Sequence, residues 1–131
     1  MLDLLIPLSA KPQGSKRGFL VNGRIVMAEA SKGLKEHRAH FTQLIRQQAT
    51  DWVTPDADKA FIVTITFYFQ KPKSAKRKHM TTIPDVDKVA RFCLDALTDA
   101  GIWLDDKQVT DLQLFKVYGD SNLTEIQVRY V

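Results

Sequence analysis

The sequence predicts an α+β (mixed α/β) fold in a single domain: a mixed sheet with an N-terminal hairpin and two helices packed on it. Three observations carry that expectation. Phe61 to Phe69 is filled with β-branched and aromatic residues that alternate between two faces, as in a central strand. Asn22-Gly23 sits between two apolar runs, and Asn-Gly accepts the positive φ of a tight hairpin turn. Two further stretches repeat apolar residues every three or four positions, the period of a helix with one buried face. A chain of 131 residues is long enough to bury a real core as one domain.

Taken in order, residues 2–9 read as a first strand, with Pro7 marking an edge strand or an early end. Lys11 to Arg17 is a basic loop bearing Gly and Pro. Phe19-Leu20-Val21 and Arg24-Ile25-Val26 flank the Asn-Gly turn. With Lys16, Arg17 and Arg24 around it, this ribbon suits a phosphate backbone and a solvated edge about equally. Ser31 is the expected N-cap of a helix from about Lys32 to Gln48, where Leu34, Arg38, Phe41, Leu44, Ile45 and Gln48 recur at helical spacing and Trp52 extends the series. His37 and His40 fall on its polar flank and read as surface residues. Residues 53–59 form a turn. The strand Phe61 to Phe69 leads into a basic loop, Gln70 to Thr82, which taken alone would be solvated and mobile.

A second helix follows, with Asp87 as N-cap and Gly101 as its stop; Val89, Phe92, Cys93, Ala96, Leu97 and Ala100 form its apolar stripe. Val109 to Tyr118 and Leu123 to Val131 then read as strands joined through the turn-rich residues 119–122.

Composition is that of a globular protein, 44% hydrophobic and 26% charged. No apolar run approaches the ~20 residues of a membrane span. Met1 to Leu8 is too short for a signal peptide and lacks a basic start, so a cytoplasmic protein is expected. Cys93 is the lone cysteine; it lies on the apolar stripe and reads as a packing residue. Net charge is +4, from 19 basic against 15 acidic residues. Lys71, Lys73, Lys76, Arg77 and Lys78 account for that excess, since without these five the balance is 14 against 15. One local basic patch points to a polyanionic partner.

Acidic residues are concentrated elsewhere. Asp85 and Asp87 precede the second helix, and Asp105 and Asp106 follow it behind the apolar Ile102-Trp103-Leu104. Capping and solvation explain an isolated Asp-x-Asp, because helix N-termini favour negative charge. They do not explain a second pair. Clustered carboxylates are costly without a cation, and hard Mg²⁺ or Mn²⁺ binds such oxygens well. Residues 88–99 as helix carry the chain ~18 Å away from Asp87. The steps from Asp99 to Asp106 return at most ~23 Å. The two pairs meet only if the chain doubles straight back along the helix, or if a second subunit completes the site.

Pro84-Asp85-Val86-Asp87, the basic residue at 91, Asp95-Ala96-Leu97 and Trp103-Leu104-Asp105-Asp106 together resemble the RusA-type Holliday junction resolvases. The likeness extends to Lys11-Pro12 with Gly14-Ser15-Lys16-Arg17, and to Lys71-Pro72-Lys73-Ser74, so it covers nearly the whole chain. These are small, often prophage-borne endonucleases that cut four-way DNA junctions as homodimers with Mg²⁺ or Mn²⁺. The resemblance implies metal binding and catalysis by Asp85, Asp87 and Asp106, with Arg91 at the position of a catalytic Lys. Lys88 stands where the family usually has Asn. DNA contact is expected from Lys16, Arg17, Lys71, Lys73, Lys76, Arg77, Lys78 and Lys88.

Overall fold

The computed structural model describes residues 1–14, 16–29 and 33–131, without the side chains of Lys16, Arg17, Ala28 and Glu29. Ser31, expected as a helix cap, lies outside the described residues. Six strands and two helices appear in the order β1 (Leu2–Ile6), β2 (Lys16–Val21), β3 (Arg24–Glu29), α1 (Leu34–Gln48), β4 (Phe61–Gln70), α2 (Val86–Asp99), β5 (Val109–Gly119) and β6 (Leu123–Tyr130). A 3₁₀ turn over Asp106–Gln108 leads into β5.

Four strands form one mixed sheet in the order β1-β6-β4-β5. Strand β4 lies inside it, antiparallel to β6 and parallel to β5. A parallel neighbour needs a crossover connection, and α2 provides it. Pro7 follows directly on β1, which is an edge strand and ends at Ile6. β5 and β6 are consecutive in sequence but not adjacent in the sheet. Their link passes over the end of β4, where Asn122 Oδ1 accepts from Gln70 N at 2.7 Å and Gly119 O accepts from Lys71 N at 3.2 Å.

The alternation in β4 decides which face is the core. Phe61, Val63, Ile65 and Phe67 are sealed from solvent, whereas Ile62, Thr64, Thr66 and Tyr68 are half-buried on the other face. Leu4 and Ile6 from β1 and Ile126 and Val128 from β6 extend the buried layer. The helices complete it with Phe41 and Ile45 from α1 and Val89, Phe92, Cys93, Ala96 and Leu97 from α2. Phe41 meets Phe92 edge-on at 5.1 Å. Cys93 is fully buried, and burial pushes its thiol pKa far up, which leaves it an inert packing residue.

Three local expectations change. Helix α1 begins at Leu34, after Gly33 in the left-handed region (φ 66), two residues beyond the expected start. Helix α2 begins at Val86, so Asp85 is its N-cap and Asp87 lies in the first turn. His37 is half-buried: its Nε2 contacts Ser9 O at 2.6 Å and its ring lies 5.6 Å from Phe92, so it ties α1 to the segment after β1. His40 is exposed, as expected.

The Asn22-Gly23 hairpin forms with both turn residues at positive φ (50 and 77). β2 and β3 make a separate two-stranded sheet whose Phe19, Leu20, Val21, Ile25, Val26 and Met27 are all exposed. Among the described residues no helix is long and apolar enough to cross a membrane.

The end of α2 fixes the acidic segment that follows. Gly101, at φ 79, donates its N–H to Thr98 O, and Ile102 N–H donates to Leu97 O at 3.1 Å. This is the paired Schellman closure, completed by the buried contact partners Leu97 and Ile102. Trp103 is buried behind it, edge-on to Phe61 at 5.2 Å, with Nε1 donating to Thr98 Oγ1 at 2.7 Å. Trp103→Ala should therefore lose about 3–5 kcal/mol of stability, as large core truncations do, read as a lower urea midpoint at unchanged slope. A loss under about 1 kcal/mol would mean that Trp103 does not anchor this turn.

Candidate active site

The return from α2 is held from outside as well. Trp52 Nε1 donates to Ile102 O at 2.9 Å, Thr54 Oγ1 donates to Gly101 O, and Arg46 Nη2 donates to Asp99 O at 2.6 Å. Gln108, buried, uses its whole amide. Its Oε1 accepts from Leu104 N and Asp105 N, and its Nε2 donates to Asp56 O and Lys59 O. This side chain stitches the acidic pair to the turn before β4.

The two members of that pair have different tasks. Asp105 is the N-cap of the 3₁₀ turn and accepts from Lys107 N at 2.9 Å; that bond chiefly holds its pKa down. Asp106 carries no such duty. Its pKa is raised, first by partial burial, then by a side-chain hydrogen bond to Asp105 and by the negative charges of Asp105 and Asp95. The chain has thus doubled back along α2, and Asp106 stands within the field of Asp95. Asp95 lies two helical turns, about 12 Å, from Asp87.

At the other end of α2, Asp85 and Asp87 are exposed. Asp85 caps with its backbone alone, its C=O accepting from Lys88 N and Val89 N, and its carboxylate makes no capping bond. Lys88 Nζ stands 3.8 Å from it, an exposed pair of small energetic weight. Lys116 of β5 holds the approach to Asp85, donating from Nζ to Thr82 O at 2.6 Å and to Pro84 O at 2.8 Å. Sequence reasoning placed Lys116 on a strand without a role, because nothing local marks two carbonyls more than thirty residues away.

Between these ends, Arg91 is exposed and forms an ion pair with neither Asp87 nor Asp95 among the described residues. Asp95 instead accepts from Gln13 Nε2 and lies 3.7 Å from Arg38 of α1. Gln13 also donates its backbone N–H to Lys88 O at 3.1 Å, so the loop before β2 is docked on α2. Gly14 follows at φ 103, a backbone conformation that side chains rarely adopt, and a Cβ there would stand 2.8 Å from Arg91 Nη1.

The basic loop is tethered. Arg77 Nη1 donates to the Tyr118 hydroxyl at 3.1 Å and Lys71 Nζ lies 5.6 Å over the same ring, while Lys71, Lys73, Lys76, Arg77 and Lys78 stay exposed. The Arg77 bond is the main reason the Tyr118 hydroxyl titrates low. Of the remaining expected DNA contacts, Lys88 is half-buried beside Asp85, and the Lys16 and Arg17 side chains lie outside the described residues.

Carboxylate oxygens suit a hard divalent cation, and neither the Asp85 nor the Asp106 side chain caps a helix. Among the described residues, no three His, Cys, Asp or Glu side chains are already gathered to hold one. The chemistry of the donors fits a metal; their assembly is not preformed.

The profile of the family described as Endodeoxyribonuclease RusA matches residues 7–129. The chain belongs to this family. A member of the RusA family is an endodeoxyribonuclease of the Holliday junction resolvase type, acting on branched DNA. The chain is also similar to the uncharacterized protein YqaN of Bacillus subtilis (strain 168), 29% identical over 131 residues that span 91% of this chain and 89% of YqaN.

The raised pKa of Asp106 has a consequence for stability. Its carboxyl favours the fold only while protonated, below the unfolded carboxylate pKa, and that contribution is lost as pH rises through the folded value. Asp106→Asn should therefore melt slightly above the wild type at pH 7, with the advantage fading toward pH ~3, near ordinary carboxylate values. A melting difference that is constant between those pH values would contradict the repulsion from Asp105 and Asp95.

Proposed function

We propose that this chain resolves Holliday junctions in DNA recombination and repair by metal-assisted phosphodiester hydrolysis, as a homodimer. The observation that carries this reading is the division of labour among the acids. Asp105 caps with its side chain, while the exposed Asp85 carboxylate makes no capping bond and Asp106 stands where neighbouring negative charge raises its pKa.

Asp85, Asp87 and Asp106 would hold Mg²⁺, or Mn²⁺ in its place. Held by these three carboxylates, a divalent ion would supply Lewis-acid chemistry, activating a water and offsetting charge on the phosphate. Lys116 fixes the backbone leading to Asp85, and the Gln108–Asp105 cap fixes the backbone carrying Asp106. Arg91, beside Gly14, would present a permanent positive charge to the phosphate oxygens. It cannot give up a proton at neutral pH, so it stabilises charge without acting as an acid or base. The exposed cations at 71–78, with Lys16 and Arg17, take the DNA arms, and binding should weaken steeply as salt rises.

Two nicks in strands of like polarity suit two sites related by a twofold axis. The exposed apolar ribbon β2–β3 supports self-association. A second copy is then also able to supply Asp106 to the Asp85 and Asp87 of its neighbour. Arg91 in place of the family Lys favours one rival, a protein that binds junctions without cutting them.

A synthetic four-way junction separates these readings. The wild type should nick it with Mg²⁺, and Asp85→Asn or Asp106→Asn should reduce nicking by about a hundredfold or more while junction affinity holds or rises, because losing a metal ligand removes several kcal/mol of transition-state stabilisation. Binding without nicking by the wild type would establish the rival. Unchanged turnover in either variant would remove the metal assignment.

A further inference from the structure

A cavity touches the candidate site. It encloses about 490 Å³ and is lined by Ala10, Pro12, Phe69, Ile83, Pro84, Asp85 and Lys88. That volume falls within the range of sites that take small ligands. Its wall is mostly apolar, and its one charged rim carries Asp85 beside Lys88.

The cavity follows from where the helices end. Along the inner face of β4, Phe61, Val63, Ile65 and Phe67 are sealed, but Phe69, next on the same face, is only half-buried. The strand outruns its cover, and an aromatic ring faces the opening. Opposite it stands Ile83, 83% exposed, a β-branched apolar side chain with no core to fill. Ile83 is two residues before Asp85, and Gln70 to Lys78 begins the basic loop directly after Phe69.

Resting on the junction-cutting reading, we propose that this cavity takes one unstacked nucleobase adjoining the phosphate that is cut. A phosphate held at Asp85 places its neighbouring base within reach of the opening. Aromatic faces such as Phe69 stack bases, and exposed Ile or Pro side chains enter between base steps and unstack them. Lys88 offers only hydrogen-bond donors, so it matches acceptor atoms on the base edge. At a junction crossover the base stack is already interrupted, which lowers the cost of taking one base out. Ile83 thereby acts as a wedge and Phe69 as the platform, and cutting acquires a dependence on the identity of one base.

The test couples the protein wall to the base itself. Junctions are prepared intact and with a single abasic site on either side of the mapped nick. Binding by the wild type, Phe69→Ala and Ile83→Ala is measured in EDTA, where no cutting occurs. Ile83 is outside the core, so shortening it keeps the fold even if Phe69→Ala does not. Each variant should bind the intact junction about five- to a hundredfold more weakly than the wild type does. On one abasic junction the wild type should be equally weak, with little further loss in the variants. Equal losses on intact and abasic junctions would overturn the base pocket while leaving junction cutting in Mg²⁺ untouched. Failure of the wild type to bind any junction would overturn both.

Discussion

The structure depends on how tightly the chain turns after α2. Gly101 closes the helix, Ile102 and Trp103 are driven into the core, and the next two residues have nowhere to go but back beside the helix they came from. Trp52, Thr54 and Arg46, from α1 and the segment after it, then grip the carbonyls of residues 99–102. Burial of an indole next to Phe61 is what holds an acidic pair against other carboxylates. The electrostatic cost at Asp106 is thus set by packing more than ten ångströms of helix away from the N-terminal acids.

The same economy of parts arranges the charges. Among the described residues the acids of α2 and the cations of the loop at 71–78 form no ion pair with each other. Lys116 donates to carbonyls and not to a carboxylate, Arg38 takes Asp95 and Asp99, and Arg77 goes to a tyrosine hydroxyl. Arg91 forms an ion pair with neither Asp87 nor Asp95 among the described residues.

Much of this was legible in the sequence. The alternation in Phe61–Phe69 named both faces of β4 correctly, Asn22-Gly23 gave the hairpin, and Gly101 gave the stop of α2, because each is a local rule with little competition. The starts of both helices were less legible. Asp85 and Asp87 are equally good caps by residue type, and only the backbone shows that the helix begins at Val86. His37 looked like a surface residue since its partners, Ser9 and Phe92, are distant in sequence. Residue type alone does not separate Asp105 from Asp106, which only the family resemblance singled out; the structure separates them by giving the cap to Asp105. Spacing of i, i+4 on α2 would allow Arg91 to pair with Asp87 or Asp95, but Asp95 is taken by Arg38 of α1 and by Gln13 of the loop before β2.

The central claim is that the acids at the start of α2 and the acid returned by its C-terminal turn serve one cation. Paramagnetic broadening of backbone amide signals by Mn²⁺ addresses it without reference to catalysis. Titrated with Mn²⁺, the amides of residues 85–88 and of 105–107 should broaden together, over the same range of metal, and recover together when Mg²⁺ is added in excess. Broadening of one group alone, or of the two at well-separated metal concentrations, would contradict a shared site.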